Sequence, residues 1–272
     1  MPAFVRLIIL ACVLLLTGVS TYASIIVCTW NIRDFGQTRT DEQIRYIAQT
    51  IKHCDVVSIQ EVVAGAGGAQ AVAKLAEHLN RTGVRWDYVV SVSTSSSAYK
   101  RERYAFLWKT SRLTKIGAAR LEKQYHLQID REPFYIDLKY EKQIFTLAGF
   151  HAITAKQQPE REVKYLRYLP VTKGPYPLVF CGDFNLPSSH SVFNPFKKMG
   201  YLPVLTTQKT SLRQKCRGMD CLASAFDNIF IPHRQLNVLR SGVIHFYRDF
   251  PLFDQARGIS DHIPVFAEID FR

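Results

Sequence analysis

The feature that most constrains this chain is a recurrence of short apolar, β-branched runs, many of them ending on a polar or charged residue. Ile25 to Ile32 reads as a buried strand. So do Asp55 to Val62, Trp86 to Val92, Tyr104 to Trp108, Phe134 to Lys139, Ile144 to His151, Leu178 to Phe184, Phe226 to Ile231, Val238 to Phe246 and Ile263 to Ile269. Helical spacing is rarer. Thr40, with Gln43 three residues on, signs a capping box ahead of Ile44, Ile47, Ala48 and Ile51. Val72, Leu75, Ala76 and Leu79 mark a second helix, Pro159 opens a third carrying Val163 and Leu166, and a fourth spans Ser191 to Lys198. So many strands with about four helices exceed what a simple alternating βαβ domain supplies, which predicts a mixed α/β architecture with more than one sheet.

With 272 residues and 47% hydrophobic content, the chain can bury one large core. No linker, repeat or long low-complexity segment interrupts it, and Ser93 to Ser97 reads as an exposed loop. Its start has a different character. Arg6 precedes the apolar run Leu7 to Leu16, followed by small residues that end at Ala23. That is the layout of a secretory signal, and the run is shorter than the ~20 apolar residues of a membrane span. The expectation is export, to the periplasm or outside the cell, with residues 24–272 left as one domain without a membrane anchor.

Cleavage there reduces 35 basic residues to 34 against 23 acids, a net charge of +11. Such an excess favours a polyanionic partner. Cys28, Cys54 and Cys181 lie in or beside apolar runs and read as small core residues, whereas Cys216 and Cys221 bracket a polar Arg-Gly-Met-Asp stretch suited to a short disulfide loop.

The polar residues at the strand ends are the candidates for chemistry. Asn31, Glu61 and His151 each follow an apolar run, Asp183 and Asn185 follow Leu178 to Cys181, Asp227 follows Phe226, and Asp261 and His262 precede Ile263. Strand ends converge on a sheet edge, so these groups can share one cleft. Carboxylate and amide oxygens suit magnesium or calcium, and two histidines beside them can act as acid and base. The sequence has no His-x-x-x-His or paired Cys-x-x-Cys spacing, no Gly-x-Ser-x-Gly elbow and no P-loop, which counts against zinc enzymes, serine hydrolases and nucleotide-triphosphate machines.

Seven ordered blocks carry a family resemblance: Thr29-Trp30-Asn31-Ile32, Ile59-Gln60-Glu61-Val62, Tyr99-Lys100-Arg101-Glu102-Arg103-Tyr104, Arg131-Glu132-Pro133-Phe134, Gly182-Asp183-Phe184-Asn185, Phe226-Asp227-Asn228-Ile229 and Ile259-Ser260-Asp261-His262-Ile263-Pro264-Val265. Together they resemble the endonuclease/exonuclease/phosphatase superfamily, and the third and fourth resemble its DNase I-like branch. The resemblance implies a four-layer α/β sandwich of two packed, mainly antiparallel sheets flanked by helices. It implies that Asn31, Glu61 and Asp261 hold or adjoin a divalent metal, Mg2+ first with Ca2+ or Mn2+ as substitutes, with Asp183 beside them. Glu102 would orient His151, Asp227 would orient His262, and Asn185 would bond the scissile phosphate. Either histidine can be the acid. Tyr99, Lys100, Arg101, Arg103 and Arg131 would grip phosphates of DNA, the implied partner of a monomeric endonuclease leaving 5′-phosphorylated ends.

Three departures stand out. Val63 occupies the place of an expected groove-entering arginine, Arg101 is an extra residue in its block, and Leu186-Pro187-Ser188-Ser189 lacks a cysteine of the animal enzymes. A phosphoinositide or sphingomyelin phosphoesterase shares the same core residues, but the Tyr-Lys-Arg-Glu-Arg-Tyr block favours DNA. A non-catalytic DNA-binding protein should have lost a histidine or metal carboxylate, and none is lost.

Overall fold

The computed structural model of the protein describes residues 24–95, 101–172 and 174–272. The expected export signal, residues 1–23, lies outside the described residues, as do Tyr99 and Lys100. The chain runs β1 (Ser24–Phe35), α1 (Asp41–Ile51), β2 (Val56–Val63), α2 (Ala66–Asn80), β3 (Trp86–Val90), β4 (Glu102–Lys109), β5 (Thr114–Leu121), β6 (Phe134–Tyr140) and β7 (Gln143–His151). It continues with α3 (Glu160–Val163), α4 (Leu169–Thr172), β8 (Leu178–Asp183), α5 (Asn194–Lys198), β9 (Tyr201–Pro203), β10 (Leu212–Arg217), β11 (Asp220–Leu222), β12 (Asp227–Pro232), β13 (Leu236–Val243), α6 (Phe253–Ile259) and β14 (Val265–Phe271).

Two six-stranded sheets form, in the orders β13-β14-β1-β2-β4-β3 and β5-β6-β7-β8-β12-β9, and β10 and β11 make a separate hairpin. Pairing is antiparallel except for β1 with β2 and β7 with β8. The alternation of β1 explains the layering. Ile25 and Val27 face the core between the sheets, while Cys28, Trp30 and Ile32 face the helix side with Ile44, Ile47, Val72 and Leu75. On the second sheet Leu147, Val179 and Ile229 join the central core, and Phe150, Phe180 and Phe230 turn outward onto Leu166, Phe193 and Phe196. The result is helix, sheet, sheet, helix: the expected four-layer DNase I-like sandwich.

Local chemistry sets several boundaries. Thr40 and Gln43 close the capping box of α1, each side chain bonding the other's backbone N–H. Gly68 lies where an added Cβ would sit 2.1 Å from Val63 O, so glycine permits α2 to pack directly behind β2. Cys28, Cys54 and Cys181 are free and buried, whereas Cys216 and Cys221 are joined with Cα atoms 4.2 Å apart at the end of the β10–β11 hairpin.

Two sequence expectations need correction. The strand read to Phe246 stops at Val243, because Phe246 turns back to pack its ring 5.1 Å from Trp30. The helix opened by Pro159 is broken into α3, a tighter 3-10 segment Lys164–Tyr168, and α4. Strands β5, β9, β10 and β11 and helix α6 had no assignment from sequence.

Candidate active site

The inward-facing positions that build the central core change character at one end of the sandwich. On β4, Trp108, Phe106 and Tyr104 are followed in the inward series by Glu102. On β7, Phe145 and Leu147 lead through Gly149 to His151; on β8, Val179 and Cys181 lead to Asp183; on β12, Ile231 and Ile229 lead to Asp227. Continuing β1 in the same way reaches Asn31. The same period of two that packs the core therefore aims five polar side chains into one edge.

Two backbone features complete the convergence. Gly182 has φ of +144°, and a Cβ there would lie 1.8 Å from Phe150 O. Only glycine allows this approach of β8 to β7, which sets His151 opposite Asp183. Glu61 breaks alternation: its φ of +60° and the register shift between Ile59 and Val62 turn it toward Asn31. Asn185 also has positive φ, +50°, a conformation asparagine tolerates better than most residues.

Two histidine–carboxylate pairs converge on Asp183. His151 Nδ1 is 2.8 Å from Glu102 Oε1, and His262 Nδ1 is 2.7 Å from Asp227 Oδ2. Their Nε2 atoms lie 3.6 Å and 3.7 Å, respectively, from Asp183 Oδ2. Asn31 Nδ2 donates to Glu61 Oε1 at 3.0 Å and to Asp183 Oδ2 at 3.2 Å. Asn185 donates from its backbone N–H to Asp183 Oδ1 at 2.8 Å, while its amide donates to Ala152 O at 3.0 Å and to Asp183 Oδ2 at 3.3 Å.

Burial makes these charges interact strongly. Burial opposes ionisation of Glu102, but His151 and then Arg131 outweigh it and hold the carboxyl below its ordinary range. For His151, burial and Arg131 oppose the imidazolium, yet Glu102 and Asp183 push its pKa up. Asp183 is held low despite burial by His262 and His151. Burial pushes Asp227 up against the pull of His262. Burial likewise disfavours the charged form of His262, but Asp227 and Asp183 raise its pKa to about 10.

Arg131 departs from its expected phosphate-binding place. Its guanidinium turns inward, donating from Nη1 to Glu102 Oε2 at 3.4 Å, from Nε to His151 O at 3.1 Å and from Nη2 to Ala152 O. A cation beside two buried ionisable groups is more strongly held there than in water, so it braces the Glu102–His151 pair. Arg103 faces away from Glu102 by strand alternation and is half-buried, whereas Arg101 is exposed beside the edge. Asp261 is at the rim: its carboxylate is 32% exposed, 4.0 Å from Arg257 Nη2, and makes no hydrogen bond among the described residues.

The sequence reading missed four supporting residues. Thr210 Oγ1 donates to Asp227 Oδ2 at 2.7 Å. Ser260 Oγ donates to Asn31 O at 2.6 Å and accepts from His262 N at 3.1 Å. Tyr104 Oη accepts from His151 N at 3.1 Å and donates to Arg131 O at 2.9 Å, and Trp30 Nε1 donates to His262 O at 2.8 Å. Trp30, Tyr104 and Ser260 stand inside recognised blocks; Thr210 carries no signal in the sequence.

Asp183, Asp227 and His262 place ligand atoms within 4.8 Å of one another, a spacing that a cation can bridge. However, Asp227 Oδ2 already takes both the His262 and Thr210 hydrogen bonds, so that trio is better suited to proton handling. The hard oxygens of Asn31, Glu61 and Asp183 fit a divalent cation better. Asn31 Oδ1 is buried without a hydrogen-bond partner among the described residues, and Asp227 Oδ1 shares that condition.

Residues 28–262 match the Endonuclease/Exonuclease/phosphatase family. The chain belongs to that family. Deoxyribonuclease gamma of Homo sapiens is 24% identical over 93% of this chain and 88% of its own length. A deoxyribonuclease of Thioalkalivibrio sp. (strain K90mix) is 26% identical over 90% of this chain and 71% of its own. A solved family member from Bacteroides thetaiotaomicron, at 18% identity, superposes with a TM-score of 0.67 over 92% of this chain and 98% of the other. Family and relatives together make this chain a hydrolase of the nuclease and phosphoesterase group.

Proposed function

We propose that the protein is an exported, magnesium-dependent endodeoxyribonuclease that acts as a monomer and leaves 5′-phosphorylated ends. The observation that carries this reading is the pairing of His151 with Glu102 and His262 with Asp227, both Nε2 atoms within 3.7 Å of Asp183 Oδ2, next to Asn31 and Glu61. Hydrolysis of a phosphodiester needs a proton removed from the attacking water and another delivered to the leaving 3′ oxygen. Glu102 and Asp227 each fix a histidine by its Nδ1, which leaves both Nε2 atoms facing the reaction. One imidazole then accepts a proton while the other donates one.

Asn31, Glu61 and Asp183, with Asp261 at the rim, are the residues to hold magnesium, for which calcium or manganese can substitute. Bound there, the ion would neutralise charge growing on the phosphate oxygens. Asn185 reaches a phosphate by giving up the longer of its two amide contacts, that to Asp183. Arg101, with Tyr99 and Lys100 in the same block, grips the DNA backbone, and the net +11 of residues 24–272 supports binding through phosphates rather than base edges.

The test is to incubate purified residues 24–272 with supercoiled plasmid, single-stranded DNA, RNA and a phosphoinositide, each with magnesium or a chelator. Magnesium-dependent nicking of the plasmid is expected. Chelator-resistant cutting, digestion only from ends, or hydrolysis of the phosphoinositide without DNA cleavage overturns the reading.

A further inference from the structure

Three tyrosines gather on the outer face of the second sheet. Tyr125 lies 5.5 Å from Tyr165 and stacks 6.0 Å from Tyr168, and Tyr165 and Tyr168 are 6.2 Å apart, centroid to centroid. Lys164 Nζ sits 5.2 Å over the ring of Tyr165, and the Arg167 guanidinium 4.6 Å over that of Tyr168. Tyr125 and Tyr165 rest against the outer core, but Tyr168 is 39% exposed.

This cluster is tied to the catalytic edge. Glu162, buried on α3, accepts from Asp130 N at 2.7 Å and from Ile153 N at 2.9 Å, so it holds the segments that follow His151 and precede Arg131. Between those segments runs a groove of about 450 Å3, lined by His126, Gln128, Ile153, Gln157 and Arg161 among others. The groove lining includes Ile153, two residues from His151, and His126, the sequence neighbour of Tyr125.

Tyrosine rings with a cation over them suit bases that expose their own faces, because a base stacks on an aromatic ring or on a guanidinium plane, and a duplex hides those faces within its stack. An unpaired strand offers both the faces and the phosphates that attract Lys164, Arg167 and Arg161. We propose that the Tyr125–Tyr165–Tyr168 cluster and the adjoining groove form a binding site for single-stranded DNA, which leads an unpaired strand to or from the catalytic edge. The proposal builds on the nuclease reading but is tested apart from it.

Binding of a fluorescent 20-nucleotide thymidine strand, followed by anisotropy with chelator present, measures the site without cleavage. Tyr168→Ala should weaken binding by about fivefold to a hundredfold, the range seen when one stacking ring is removed, and Tyr168→Phe should keep most of the affinity. Tyr88→Ala removes a tyrosine with the same 39% exposure from the edge strand β3 and should bind as the wild type does. If Tyr168→Ala fails to fold, the Lys164→Ala and Arg167→Ala double variant should instead weaken binding and flatten its salt dependence. Equal losses in the Tyr168 and Tyr88 variants, no loss in the folded Tyr168→Ala protein, or an unchanged salt response in the double variant would overturn the proposal. So would a Tyr168-dependent loss confined to phosphatidylglycerol vesicles, which would mark a membrane surface. Absence of plasmid cutting by the wild type would sink the nuclease reading and leave this binding result standing.

Discussion

Asp183 holds Oδ2 3.6 Å from Nε2 of His151. The same oxygen lies 3.7 Å from Nε2 of His262, so a single buried carboxylate separates two imidazoles, each backed by an acid of its own. If these imidazoles are the acid and base of one step, alanine at either position should lower the rate of plasmid nicking by about a hundredfold to ten-thousandfold. The double variant should lose far less than the product of the two losses, because groups acting as a unit are not additive. DNA affinity should survive. A folded His151→Ala or His262→Ala protein that cuts at the wild-type rate would remove these residues from the mechanism.

The orphaned Oδ1 of Asn31 and the strained backbone at Glu61 mark the proposed cation position. Asn31→Ala and Glu61→Gln should each raise the magnesium concentration needed for half-maximal cutting by about ten- to a hundredfold, with much of the maximal rate restored at saturating magnesium. Titration of activity against magnesium checks this, and an unchanged half-point would place the ion elsewhere.

Arg131 bonds the Glu102 carboxylate and the backbone carbonyls of His151 and Ala152. Replacing it with alanine leaves the buried Glu102 with less compensation, so stability should fall by about 3 kcal/mol in denaturant unfolding. The salt dependence of DNA binding should not change. A reduced salt slope with intact stability would restore Arg131 to the phosphate-binding set.

The sign of the His262 shift gives a pH prediction for the chelated protein. Its folded pKa of about 10 lies above the ordinary 6.5, so its stabilising contribution is complete below the unfolded value and is lost as pH rises through about 10. Melting temperature should therefore fall more steeply between pH 7 and pH 10 in the wild type than in His262→Gln. Added magnesium should lower the His262 midpoint seen by NMR, since a second cation beside Asp183 disfavours the imidazolium. Parallel melting curves for the two proteins would contradict the pairing.

Reduction of the Cys216–Cys221 bridge opens a loop with a sequence separation of only 5, for which chain entropy allows about 2 kcal/mol. A modest drop in melting temperature is expected. The hairpin it closes springs from Ser211, which bridges to His262, so the Cys216→Ser, Cys221→Ser double variant should also cut more slowly. Free thiols at both positions in unreduced protein, detected by mass spectrometry, would show that the loop is open.

The amino-acid sequence by itself determined the strands whose burial writes a pattern: β1, β2, β4, β7, β8 and β12 are apolar enough to be read directly, and Thr40 announces α1. It also marked Asn31, Glu61, His151, Asp183, Asp227 and His262, because each interrupts or ends such a run. Strand β5 escaped because none of its residues is buried and it follows no apolar period, and β10 because Leu212 alone among its residues is buried. The tertiary structure alone decided the inward turn of Arg131, the rim position of Asp261 and the roles of Thr210, Ser260 and Tyr104. Their partners lie 17 residues away for Thr210, 229 for Ser260 and 27 for Arg131 against Tyr104. Periodicity reports which face a side chain takes, but hydrogen bonds across such separations exist only once the two sheets have packed.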